Sequence, residues 1–153
     1  TVSLFAATKT YNIPGLGCAA AIVPDAALRQ RFVATRGDLV PGPGPLNYIA
    51  SEAAFNDRSD WVPQLITTLR RNRDLLRAVA GERMTTMQAT YLAWLNIEDL
   101  QRNDVAGHFE SHGVGLSNGA PFGHEGYVRF NFASPRPVLE EGLRRLSESL
   151  RAG

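Results

Sequence analysis

The sequence predicts a chain of the α/β (α+β) class, and three observations predict it. Residues 18–23 (CAAAIV) and 90–96 (TYLAWLN) are short apolar runs of strand length and strand composition. Residues 127–132 (YVRFNF) alternate strictly, with Val128, Phe130 and Phe132 on one face and Tyr127, Arg129 and Asn131 on the other. Two further segments repeat apolar residues every three or four positions, the period of a helix with one buried stripe. At 153 residues, 44% hydrophobic and 20% charged, the chain is long enough for a sizeable core.

The elements follow in order. Residues 1–5 (TVSLF) read as a strand entered midway, so the chain is expected to be the later part of a longer protein. The run 18–23, bounded by Gly17 and Pro24, reads as a buried strand. Asp25 caps a helix over 26–35 that Gly37 ends. The PGPGP stretch at 41–45 is the best linker candidate, because nothing helical crosses three prolines in five residues. A short helix over 46–55 precedes a long one capped by Ser59 or Asp60. The long helix buries Val62, Leu65, Ile66, Leu69, Leu76, Val79 and Ala80, and Gly81 stops it. Then come the strand 90–96, a weak helix over 98–108, a short strand at 114–116, a loop at 117–126 and the strand 127–132. Ser134 caps the last helix, with Pro135 at its first position, and the helix buries Val138, Leu139, Leu143, Leu146 and Leu150.

Composition excludes several function classes. No apolar run reaches the ~18 residues that span a bilayer, so no membrane role is expected. A net charge of +1 lacks the basic excess of a nucleic-acid binder. The arginines from Arg70 to Arg77 could form a phosphate patch, but a solvated helix face accounts for them. The single cysteine, Cys18, excludes a disulfide framework and any multi-thiolate metal site, and it reads as a packing residue rather than a nucleophile. No signal-peptide pattern is visible, and the reducing cytoplasm is the expected compartment. His108 and His112 are four apart, but flanking glycines break the stretch and a zinc site needs a third ligand, so no metal is expected and both histidines read as solvent-exposed. His124 lies in the loop before the last strand and could reach a substrate. Tyr11, Trp61 and Trp94 read first as core.

The basic residues are fifteen arginines and one lysine, Lys9. Composition alone leaves two explanations open: biased codon usage, or a site where only a primary amine works because it can condense with an aldehyde. The surroundings favour the second. Small residues precede Lys9, Thr8 and Thr10 flank it with hydroxyls able to donate to a phosphate, and a Pro14-Gly15 turn follows.

The segment Ala6 to Leu16 (AATKTYNIPGL) resembles the lysine segment of pyridoxal-phosphate enzymes of fold type I, the aspartate-aminotransferase fold. Within the class I/II aminotransferase family it is most similar to the cystathionine β-lyase branch, the MalY/PatB-type C–S lyases. Two later segments agree in order and spacing: Ala89 to Leu95 (ATYLAWL), and Gly115 to Gly123 with Gly126 to Arg136 (GLSNGAPFG and GYVRFNFASPR). The resemblance runs nearly end to end and is weakest over residues 25–45.

That resemblance implies pyridoxal 5'-phosphate as cofactor. Lys9 would be its covalent anchor and the base that moves the substrate's Cα proton, with Thr8 a contact to its phosphate. Arg129 would hold the substrate α-carboxylate; Arg136 also lies in the signature, but its place at a helix start suggests a structural role. It implies an α/β (α+β) architecture in which residues 1–30 are the tail of a large cofactor-binding domain with a mostly parallel sheet. Residues 31–153, led by the long helix, would be a small domain with a short antiparallel sheet covered by helices. The expected activity of the full-length protein is β-elimination from an amino-acid substrate by a homodimer. The alternatives are a PLP-dependent aminotransferase and a non-catalytic aminotransferase-like domain. Departures exist: Ala6 and Gly17 stand where the aspartate-aminotransferase branch has serine and arginine, and Asn96-Ile97-Glu98 replaces a common Asp followed by a basic residue. Family members are longer, and the aspartate that pairs with the pyridine nitrogen precedes the lysine in them. These 153 residues alone are therefore not expected to be a competent enzyme.

Overall fold

The structure, a computed structural model, describes every residue except Leu39, Asn103 and Gly153. Its contacts divide the chain into two compact units, Thr1–Val62 and Pro63–Gly153.

In the first unit, β1 (Ser3–Ala6) pairs antiparallel with β2 (Ala19–Ile22), Ser3 opposite Ile22 and Ala6 opposite Ala19. Among the described strands, β1 and β2 pair only with each other. The expected burial of 18–23 holds only at its end, where Val23 is buried. All four residues of β2 are exposed and Cys18 is half-buried, because a continuous apolar strand is buried only when both sheet faces are covered. Helix α1 (Ala26–Arg36) begins where Asp25 accepts from Leu28 N at 2.7 Å and ends at Gly37, whose φ of 50° suits glycine. Helix α2 (Pro45–Phe55) starts with proline in its first turn, where the missing N–H costs nothing.

Helix α3 (Trp61–Ala80) opens with Ser59 Oγ accepting from Trp61 N at 3.2 Å. Gly81, at φ 57°, ends it as its sequence predicts and opens a 3₁₀ turn, Gly81–Arg83.

The second unit carries a three-stranded antiparallel sheet in the order β3 (Leu92–Asn96), β5 (Tyr127–Asn131), β4 (Ser117–Asn118). The predicted alternation holds. Ala93, Leu95, Val128 and Phe130 are buried, whereas Trp94, Asn96, Tyr127 and Arg129 on the opposite face are half-buried. The buried face packs into one core with Leu76 and Ala80 of α3, Phe109 of α4 (Val105–Ser111), and Leu139, Leu143 and Leu146 of α5 (Arg136–Arg151). Asn72 sits in the apolar stripe of α3, buried, and donates to Phe132 O at 2.9 Å and Ser134 O at 3.1 Å, fastening the exit of β5.

Four sequence expectations shift in this unit. The weak helix over 98–108, whose Asn103 lies outside the described residues, is instead a 3₁₀ turn (Glu98–Leu100) and then α4. Gln101 at φ 46° ends the turn, and Asp104 caps α4 by accepting from Gly107 N. The strand falls at 117–118 rather than 114–116, because Gly113 and Val114 return their N–H groups to Glu110 O and Phe109 O and close α4. Pro135, not Ser134, occupies the cap of α5, and no side chain caps it. Val138 is 62% exposed, outside the stripe expected to bury it. Among the described residues no helix is long and apolar enough to cross a membrane.

Candidate active site

The predicted site residues fall in both units: Thr8 and Lys9 in the first, Arg129 in the second.

Lys9 lies in a single helical turn that follows β1. Tyr11 N donates to Ala7 O at 3.0 Å and Ile13 N to Thr8 O at 3.0 Å. The chain leaves through Asn12 at φ 52°, a left-handed position that asparagine tolerates. Ala7 is 2% exposed and anchors the turn, while the indole N–H of Trp61 donates to Thr10 O at 2.9 Å. Trp61 therefore does more than pack: half of its surface is exposed and its polar edge pins the lysine turn. Tyr11 faces Asp57. Burial first, and then the Asp57 carboxylate, push the phenol above its ordinary pKa. The Asp57 carboxyl is held below its ordinary value, chiefly by the Ser59 backbone N–H, which donates to it at 3.0 Å.

The Lys9 side chain is exposed, and among the described residues no carboxylate pairs with it. An accessible amine on a pinned turn, flanked by the hydroxyls of half-buried Thr8 and exposed Thr10, fits the demands of a phosphate-bearing aldehyde.

Arg129 sits on the central strand β5. Its register partners are Trp94 on β3 and Ser117 on β4, so the three form one row across the sheet, on the face turned away from the core. Nη2 donates to Ser117 Oγ at 3.2 Å, and Cζ lies 4.7 Å from the centroid of the Phe122 ring. Phe122 meets Trp94 edge-on at 5.5 Å and 79°. No described carboxylate is within ion-pair distance of Arg129. Other arginines of this unit are claimed: Arg83 by Asp99, Arg136 by Glu140, Arg144 and Arg145 by Glu141. The pairing of Arg136 with a residue four positions on agrees with a structural role. A half-buried fork without a carboxylate is suited to an incoming one, since guanidinium and carboxylate pair through two parallel hydrogen bonds.

The remaining candidates, His124 excepted, lie apart from these residues in the sequence. His108 and His112 are half-buried rather than solvent-exposed, bonding Ser149 O and His108 O at 2.9 Å each. Backbone carbonyls thus occupy one nitrogen of each ring. Among the described residues no three His, Cys, Asp or Glu side chains could hold a metal ion. His124 is exposed, its ring 5.2 Å from that of Tyr127. Arg73 pairs with Asp74, and Arg77 donates to Thr85 O, so these arginines serve their own surface. Sequence reasoning misses Ser117 and Phe122. The only signal for them is their place in the GLSNGAPFG segment.

Residues 4–146 match the family "Aminotransferase class I and II", and the chain belongs to that family. It is 29% identical to the cystathionine beta-lyase PatB of Bacillus subtilis over 98% of its own length and 42% of that protein, and 32% identical to protein MalY of Escherichia coli over 97% and 41%. Among solved structures it is similar to OvoB (36% identity, TM-score 0.90, covering 99% of this chain and 41% of that one). It is also similar to cystalysin of Treponema denticola, which contains a pyridoxal 5'-phosphate cofactor (26%, TM-score 0.83, 99% and 41%). The chain thus spans about two-fifths of the length of these relatives.

Proposed function

We propose that this chain is the part of a pyridoxal-phosphate-dependent C–S β-lyase that carries the anchoring lysine and the carboxylate-binding arginine. The observation that supports it most is the match to PatB over 98% of the chain, with the single lysine on an exposed, pinned turn. Lys9 would hold the cofactor, with Thr8 beside its phosphate. When bound, the cofactor supplies a sink for negative charge at the substrate Cα. Lys9 would then take the Cα proton as general base. The electron pair of that C–H bond forms the Cα–Cβ double bond as the Cβ–S bond breaks, and the thiolate leaves with its own pair. Arg129 would fix the substrate by its α-carboxylate. The substrate class is an amino acid bearing sulfur on Cβ. In this reading residues 1–30 belong to a large cofactor-binding domain and 31–153 to the small domain. The full-length protein works as a homodimer in the cytoplasm, and these residues alone do not turn substrate over.

The test uses the full-length protein loaded with pyridoxal phosphate. Pyruvate release from L-cystathionine is expected, together with a visible absorption band that is lost in Lys9→Ala. Keto-acid exchange without pyruvate would replace the lyase by an aminotransferase. Absence of any band would favour a non-catalytic domain.

A further inference from the structure

Phe122 is a large aromatic that the core does not use: it is 50% exposed and lies outside the buried cluster. Its backbone is nevertheless fixed. It closes the 3₁₀ turn Ala120–Phe122, donating to Gly119 O at 2.8 Å, with Gly123 N returning to Ala120 O at 2.9 Å. Gly119 keys that turn to β5. It donates to Tyr127 O at 2.8 Å, and a Cβ there would lie 2.1 Å from His124 O and 2.5 Å from Tyr127 O, so no larger residue fits. The Phe122 ring is thereby carried over the Arg129 guanidinium, and the edge-on Trp94 contact steadies it.

We propose that Phe122 and Ser117 are positioning residues that aim the Arg129 fork at a substrate α-carboxylate. The proposal rests on the reading of Arg129 as the carboxylate-binding group. An arginine side chain has several rotatable bonds and must be held if it is to bind a planar anion in one orientation. Several other arginines of this unit are held by carboxylates, though Arg77 and Arg102 bond carbonyls and Arg151 a hydroxyl. Glu141 takes Arg144 at 2.8 Å and Arg145 at 2.7 Å, and Asp99 takes Arg83. A carboxylate clamp consumes both the charge and the donors of the fork. An aromatic face attracts the cation through its quadrupole, and a hydroxyl accepts a single N–H. Neither carries a negative charge. Phe122 and Ser117 therefore orient Arg129 while leaving its positive charge for a ligand.

The full-length protein loaded with pyridoxal phosphate is titrated with L-alanine, which carries the α-carboxylate and no leaving group, and kcat for L-cystathionine is measured alongside. Phe122→Leu keeps an apolar side chain and removes the ring face. It is expected to weaken L-alanine binding about two- to fivefold, the size of a partly exposed cation–π contact, with kcat and Tm unchanged. Phe122→Tyr is expected to restore binding, and Ser117→Ala to weaken it by a similar factor. Arg129→Lys, which loses the fork, is the reference and is expected to weaken binding about tenfold or more. Unchanged binding in Phe122→Leu beside a weakened Arg129→Lys overturns the positioning role and leaves the carboxylate reading standing. Unchanged binding in Arg129→Lys removes both. A loss in Phe122→Leu that Phe122→Tyr does not restore, with a lowered Tm, makes the ring structural and also overturns the proposal.

Discussion

Large hydrophobic side chains lie exposed in both units, but unequally. Among the described residues twelve of the fifteen, from Val2 to Trp61, fall in Thr1–Val62. Only Ile66, Phe122 and Val138 fall in the longer Pro63–Gly153. The buried cluster shows the reverse bias, since every one of its residues lies between Leu76 and Leu146. In the second unit the strands and helices bury one another's apolar faces. In the first, β2 is exposed at all four positions and α1 buries nothing. The surroundings of the two candidate residues differ accordingly. Arg129 stands on a sheet that has its own core, whereas Lys9 stands on a turn held by a few local hydrogen bonds beside uncovered strands.

The largest difference between the units should appear as activity against stability. Lys9→Ala in the loaded full-length protein should cost on the order of a thousandfold or more in pyruvate release. Its Tm without cofactor should stay unchanged, because the side chain is exposed and unpaired among the described residues. A matched fall in Tm would show that the lysine turn is held by more than its backbone.

Core truncations sharpen the contrast. Phe109→Ala in this chain should destabilise by about 3–5 kcal/mol in urea titrations, since the ring is fully buried. Leu4→Ala, at a position 70% exposed, should stay within about 0.5 kcal/mol. Equal effects would erase the distinction between the two units. Asn72→Ala should cost about 1–3 kcal/mol, as the carbonyls of Phe132 and Ser134 lose their shared donor. A neutral result would mean that β5 does not need its fastening.

The smallest effect expected is one of pH. Arg144 first, and then Arg145, hold the Glu141 carboxyl down to about 2. A depressed folded-state pKa contributes stability that is present above the ordinary carboxyl value of 4.5 and is lost as pH falls through about 2. Between those limits the Tm of the chain should drop more steeply than that of Glu141→Gln. Parallel curves would mean that solvent screens this exposed cluster completely.

Local chemistry makes much of this molecule legible in its sequence. Asp25, Gly37 and Gly81 bound their helices where the sequence predicts, because caps and left-handed glycines act within a few residues. The two faces of β5 follow from a period of two. Lys9 stands out as a lone amine among arginines. Sequence pattern misleads where distant partners decide. The apolar run of β2 has the composition of a buried strand, but burial depends on what covers a sheet, not on its residues. The weak helix breaks at Gln101, whose left-handed backbone no side-chain pattern announces.

By itself, then, the sequence determined most of the helices and strands, which side of β5 is apolar, and which lysine stands alone, while its resemblance to a family singled out Arg129. The elements and the faces of β5 are set by backbone preference and side-chain period over a few neighbours. Only the tertiary structure decided that Trp94, Arg129 and Ser117 share one row, and that Phe122 stands over the guanidinium. It also decided that the apolar burial gathers in Pro63–Gly153. Those facts depend on strand register and on packing between residues far apart in the chain, where the free energy of burial acts through space rather than along the backbone.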